Sequence, residues 1–269
     1  MTPDPERVRV WEARAPAYDR LCHRWELFYL LANRLIDLLP ADLQGPVLDI
    51  CAGSGVSSEV LLARHPHCEA ILIEPSEAML NIARVNLAGR PARFFAMGLD
   101  QAARDLHAVA AIASASMQFV DLQPAFATLA RVIAPGGHVA FNLWWHHWEE
   151  TATGEMMSGW RPVARAACLE ARLPSPETPA PVPQAKTRTE LMGASHRHGF
   201  RLLAEHRDEY RSPVAYGVDF MALDSDWPLK GCAPEDRQAL LNRMHELAQG
   251  KFETFVSTRF LFQRIAESR

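Results

Sequence analysis

The stretch Val47-Leu48-Asp49-Ile50-Cys51-Ala52-Gly53-Ser54-Gly55 decides the fold. It opens with a short apolar run, set off by Gln44-Gly45-Pro46, that reads as a buried parallel strand. A small-residue turn follows, and then Val56 to Arg64 with its apolar residues at helical spacing. Strand, glycine turn and helix together let a nucleotide-like ligand lie against bare backbone. Gly53 and Gly55 are the expected points of approach, since a side chain there holds a ligand off the main chain.

The turn also narrows the ligand. A dinucleotide fingerprint asks for Gly-x-Gly-x-x-Gly or Ala, and counting from Gly53 the last position is Ser58. Here an acid inside the strand, Asp49, precedes Ala52-Gly53-Ser54-Gly55. This pattern resembles the first motif of the class I S-adenosyl-L-methionine-dependent methyltransferases of the small-molecule type. The resemblance implies that Ala52, Gly53 and Gly55 face the amino-acid and ribose parts of that cofactor, and that Asp49 helps place its ammonium, directly or through water. A glycine turn with no ligand is the alternative.

Composition sets the outer bounds. At 269 residues the chain accommodates one large α/β domain or a core with a lid. Its 48% hydrophobic and 22% charged content is ordinary for a globular protein. A net charge of −4 and a pI near 6.3 leave no electrostatic footprint for nucleic acid. Five scattered cysteines (22, 51, 68, 168 and 232) without a CxxC argue for a reducing compartment and against a disulfide frame or a zinc site. The first residues lack the apolar core of a signal peptide, and Leu27 to Leu39 is broken by Asn33, Arg34 and Asp37, as in an amphipathic helix. The expectation is a cytoplasmic protein with no membrane partner.

Outward from the motif, residues 6–39 read as two helices, with Pro16 ending or kinking the first. Tyr18, in Ala15-Pro16-Ala17-Tyr18-Asp19, resembles the capping tyrosine of the same family, which closes over the bound cofactor. Ala70 to Ile73 reads as a second strand ending in Glu74-Pro75-Ser76. Glu74 stands 19 residues beyond Gly55, where a ribose-binding carboxylate is expected, because one carboxylate accepts from both ribose hydroxyls. The segment from Glu74 and Pro75 to Met79-Leu80 also resembles the family pattern, with Met79 near the adenine or simply in the core. A helix runs from Ser76 to Leu87, and a third strand covers Ala92 to Met97. The resemblance implies an adenine contact after it, at Asp100 with Leu99 beside it; Asp105 leaves the register open.

His107 to Ala113 reads as the fourth strand, followed by Ser114-Ala115-Ser116-Met117-Gln118, where the family passes its backbone close to the methionine end of the cofactor. Ser114 is thereby a cofactor contact and Gln118 an acceptor contact, a polar turn being the alternative. A helix from Pro124 to Ile133 leads into Arg131-Val132-Ile133-Ala134-Pro135-Gly136-Gly137, which resembles the family's turn before its fifth strand, Val139 to Leu143. Trp144-Trp145-His146-His147 then falls at the carboxyl end of a parallel strand, where open α/β sheets place ligands. Trp144 and Trp145 are candidate acceptor contacts, and His146 or His147 a candidate general base, with Tyr18 second. Adjacent histidines splay apart and no third ligand stands at good spacing, so no metal is expected.

Residues 151–173 read as a helical insertion, five prolines from 174 to 183 as a stiff connector, and 214–250 as a second insertion. Thr189 to Phe200 resembles the last core helix; 201–211 reads as a strand, and Phe252-x-Thr254-x-Val256-x-Thr258-x-Phe260-x-Phe262 alternates as a half-exposed closing strand. The whole resemblance implies one Rossmann-like α/β domain over 1–269, with a seven-stranded, mostly parallel sheet and an antiparallel edge hairpin. Its parts are a helical cap (1–40), a cofactor-binding core (45–145), lid insertions (146–185 and 214–250) and the remainder of the core (186–213 and 251–267). The implied activity is methyl transfer to an oxygen or nitrogen of a planar or apolar small molecule of specialised metabolism. Three alternatives remain: cofactor binding without transfer, a nicotinamide oxidoreductase, and a carboxyl methyltransferase using Arg161 or Arg165.

Overall fold

A computed structural model describes residues 4–102, 106–144, 159–173, 185–223 and 233–266. Its sheet follows the order β3-β2-β1-β4-β5-β7-β6, with β1 Gly45–Ile50, β2 Cys68–Ile73, β3 Ala92–Phe95, β4 Ala108–Ala113, β5 Ile133–Trp144, β6 Phe200–Pro213 and β7 Phe252–Arg264. The first five strands pair in parallel, whereas β7 runs antiparallel to both β5 and β6. Strand order reverses beside β1, which is flanked by β2 and β4. A crevice therefore opens at its carboxyl end, next to the glycine turn.

Both faces of β1 are buried, as a continuous apolar strand requires. On one face Leu48, Ile50, Ile71, Phe141, Phe260 and Phe262 pack against α5 (Leu122–Val132) and α7 (Arg188–Arg197). On the other, Val47, Leu72, Ile112 and Ala140 meet α2 (Leu27–Ile36), α3 (Val56–Arg64) and α4 (Glu77–Asn86). The helix from Ser76 is the expected one, with the Ser76 side chain capping it through the Met79 N–H.

Three expectations need correction. Pro16 does not end its helix: α1 runs from Pro5 to Arg24 straight through it. Ala15 on one side and Leu21 and Cys22 on the other are buried, so packing along the face outweighs one lost backbone hydrogen bond. The Pro135-Gly136-Gly137 segment is a bulge within β5, since Ile133 already pairs with Ala108 and His138 with Ala110. A Cβ on Gly137 would lie 2.5 Å from the Val109 carbonyl oxygen, which is why only glycine fits. Finally, the alternation of β7 inverts at its start: Phe252 is 51% exposed while Glu253 and Phe255 are buried.

That inversion follows from what lies beyond the sheet. Helices α6 (Trp160–Glu170), α8 (Val214–Ala222) and α9 (Pro234–Ala248) share a small apolar core of their own, built on Trp160, Val163, Val218, Leu240 and Met244. The first residues of β7 face this helical layer rather than the main core. Asp219 on α8 ties the layer to α1 and to the residue after it, accepting from the Trp25 indole at 2.7 Å and pairing with Arg24 at 3.2 Å.

Candidate active site

The glycine turn is held from three sides. The Ala52 N–H donates to Ile73 O, the Gly55 N–H to Ala52 O, and the Asn86 amide donates both to Ser54 O and to Asp19 of α1. Gly53 (φ +55°) and Gly55 (φ +92°) both adopt the left-handed region that favours glycine. Their surroundings differ. Gly53 lines a cavity of about 660 Å³ and lies under the ring of Tyr18, whose Cε1 is 3.8 Å from a built Cβ. Gly55 faces α4: a Cβ there would press on Ala83 and Leu87 at 3.3 Å. Gly53 thus lines the cavity, whereas Gly55 and Ala52 shape the turn behind it.

Asp49 is buried, with 1% of its surface exposed. Ser58 on α3 donates to its Oδ2 at 2.7 Å, while Oδ1 has no partner among the described residues. The residue that breaks the dinucleotide pattern is therefore the one that steadies this acid. Burial pushes the Asp49 carboxyl up to about 7; the Ser58 hydrogen bond pulls it down and the charge of Glu74 pushes it further up. Glu74, just after β2, accepts from the Gly53 N–H at 3.1 Å and the Ser76 N–H at 3.0 Å. Burial raises its pKa as well, and those two backbone donors oppose the rise.

The cavity brings together most of the candidates. Tyr18, Gly53, Glu74, Pro75, Met79, Leu99, Asp100, Ser114, Gln118 and Trp144 line it. Asp49 sits behind the wall, and Trp145, His146 and His147 lie outside the described residues. Tyr18 packs edge-on against Trp11 and Phe28, each at 5.4 Å. Its phenol is pushed well above the usual value by burial and by its neighbours Cys22 and Tyr216, so at neutral pH it stays protonated. The upward shift disfavours the phenolate that a general base needs and leaves the hydroxyl as a donor. Arg161 and Arg165 do not line the cavity, whereas Arg7 does, with its guanidinium over the Phe119 ring.

Sequence reasoning missed several lining residues. Cys51 and Ala115 line the cavity at φ 52° and 53°, strained for residues with a side chain, at the ends of β1 and β4. The Ala115 N–H donates to Asn142 Oδ1, Asn142 donates to Ser257, and Gln118 Nε2 donates to Ala115 O. Tyr216 and Phe220 reach the cavity from α8, and Glu253 and Phe255 from the inverted start of β7. The spacing of Tyr216 and Phe220 was a readable signal for one helix face; nothing local marked Glu253.

A family model described as a methyltransferase domain matches residues 47–137, from β1 through the bulge in β5. Over that segment, about a third of its length, the chain is similar to a methyltransferase domain. This family depends on S-adenosyl-L-methionine. A demethylmenaquinone methyltransferase of Chlamydia pneumoniae is 27% identical over 146 residues, which are 51% of this chain and 60% of that protein. A trans-aconitate 2-methyltransferase of Acidovorax sp. (strain JS42) is 36% identical over 98 residues, 36% of this chain and 37% of its own. The match therefore spans about three-fifths or less of these relatives. The solved structure of a cyclopropane synthase from Mycobacterium tuberculosis superposes with a TM-score of 0.55 at 12% identity, covering 86% of this chain and 82% of that one; the likeness is one of fold. The matched segment contributes the Gly53 and Glu74 side of the cavity, while Tyr216, Phe220, Glu253 and Phe255 come from outside the matched residues.

Proposed function

We propose that this protein transfers a methyl group from S-adenosyl-L-methionine to an oxygen or nitrogen of a planar or apolar small molecule in the cytoplasm. The observation that carries the reading is Glu74, a buried carboxylate that lines the cavity beside Gly53 at the tip of β2. Asp49 lies behind that wall, and its Oδ1, without a partner among the described residues, would meet the ammonium of an amino-acid moiety through water. Glu74, steadied by two backbone donors, is placed to accept from two ribose hydroxyls. Pro75, Met79 and Leu99 offer apolar surface for a purine, with Asp100 at its edge. These residues fit the cofactor.

When bound, the sulfonium supplies an already activated methyl group. The chain's own work is then to align an acceptor and keep water out. Aromatic contacts join the two ends of the cavity: Tyr18 meets Phe28, Phe28 meets Trp144 and Tyr216 at 6.4 and 6.3 Å, and both of these meet Phe255 at 5.9 Å. Such a wall favours a flat or greasy acceptor over a large charged polymer. His146 and His147 are retained as proposed bases, and Trp145 as an acceptor contact.

Isothermal calorimetry with S-adenosyl-L-methionine tests the cofactor half, and release of S-adenosylhomocysteine across a panel of aromatic phenols and amines tests the transfer. Saturable binding and acceptor-dependent release are expected. A folded protein that binds none of the cofactor overturns the reading; binding without release for any acceptor favours a binding-only protein.

A further inference from the structure

At the far end of the cavity from Glu74 stands a second buried carboxylate. Glu253 belongs to β7, and four strand steps separate β2 from β7 in the sheet. It lines the same cavity with 9% of its surface exposed. Its Oε2 accepts from the Gly159 N–H at 2.8 Å, at the start of α6, where the helix end favours a negative charge. Among the described residues its Oε1 has no partner, and it is closed off from bulk water.

Two glycines make room for this one side chain. A Cβ on Gly159 would lie 3.1 Å from Glu253 Oε2 and 2.8 Å from a Val214 methyl. A Cβ on Gly217 would lie 3.0 Å from Oε1 and 2.9 Å from Trp160 Cδ1. One oxygen is thus pinned by backbone, while the other is left bare against Gly217 and the Trp160 ring. Nearby on the same wall are Tyr216, Phe220 and Phe255. An unpaired buried acceptor set among aromatic rings fits one kind of ligand group, a nitrogen that donates a proton and carries or shares positive charge.

We propose that Glu253 is the acceptor-binding carboxylate and that the acceptor is a primary or secondary amine on an apolar scaffold, its N–H bonded to Glu253 Oε1. This rests on the methyl-transfer reading and names its substrate class. In the step, the neutral amine's lone pair forms the new N–C bond as the S–C bond breaks, and the electron pair of that bond stays on sulfur. The surplus proton of the methylated nitrogen passes to Glu253 Oε1. Burial raises the pKa of Glu253, against the pull of the Gly159 N–H, which suits a carboxylate that receives a proton.

The test uses the full chain and three probes of one shape: phenethylamine, phenethyl alcohol and phenylacetate, each titrated calorimetrically with S-adenosylhomocysteine present and absent. The amine is expected to bind best and phenylacetate worst. Glu253→Gln, which keeps the shape and an oxygen for Gly159, is expected to weaken the amine about tenfold or more while leaving the alcohol within about threefold. Gly217→Ala, which crowds Oε1, is expected to weaken the amine in the same direction. Affinity for S-adenosylhomocysteine, measured in the same variants, reports that the fold and the cofactor side are intact. No amine binding to the wild type, equal amine affinity in Glu253→Gln, or a preference for phenylacetate overturns the proposal. Failure of the wild type to bind S-adenosyl-L-methionine while the amine preference persists sinks the methyl-transfer reading and leaves the amine site standing.

Discussion

The two ends of the cavity are built on different principles. Around Glu74, the polar groups are local: Asp49, Gly53 and Ser58 belong to one strand, turn and helix, and the turn is closed by backbone donors. Around Glu253, the wall comes from α6, α8 and β7, elements far apart in the chain that meet through their own apolar layer. The first end is a property of a βαβ unit and tolerates little change in spacing. The second depends on side-chain packing between insertions, which leaves acceptor choice adjustable without disturbing the cofactor side.

The contrast can be broken experimentally. Glu74→Ala strands two backbone donors and removes the carboxylate, so cofactor affinity is expected to fall about 100-fold by calorimetry, on the order of 3 kcal/mol. An affinity within threefold of wild type would detach Glu74 from the site. Gly55→Ala should cost stability rather than binding chemistry. Its φ of +92° and the 3.3 Å approach to Ala83 and Leu87 predict a loss on the order of 1–2 kcal/mol, visible as a lower Tm. Intact stability there would show that the turn repacks freely.

Asp49→Asn sharpens the comparison through pH. With its pKa raised to about 7, Asp49 holds its proton more tightly in the folded protein than in the unfolded chain; the stability this contributes is full below about pH 4 and is lost as pH rises through about 7. Asp49→Asn is therefore expected to gain Tm relative to wild type over that window while binding the cofactor about tenfold more weakly. A constant Tm difference from pH 4 to 8 would contradict a buried, titrating Asp49. The smallest effect belongs to Tyr18→Phe. If the phenol is only a ring and a donor, cofactor affinity should change less than about threefold, and turnover should keep its pH profile. Loss of the alkaline limb would restore Tyr18 as a base.

Reading along the chain recovered the strand and helix order because each core element carries its own period and punctuation. Val56 to Arg64 is the helix expected, and Glu74 falls on the tip of β2 as its distance from Gly55 predicts. It failed where packing overrode a local rule. Pro16 stays helical because Ala15 before it and Leu21 and Cys22 after it are buried, and β7 reads inverted because its first residues look toward the layer of α6, α8 and α9. Ser58 registered only as a departure from a fingerprint, and the structure makes it the donor that holds Asp49.

By itself, the sequence determined the α/β order, the glycine turn and the acid pair Asp49 and Glu74, since strand, turn and helix signals act within a few residues of one another. Only the tertiary structure decided that Gly55 faces a helix, that Tyr18 packs between Trp11 and Phe28, and that Glu253 stands bare-ended among the described residues beside aromatic rings. Those outcomes depend on burial and on contacts between segments far apart in the chain. No local pattern encodes them, because a side chain's environment is made by whatever the fold brings against it.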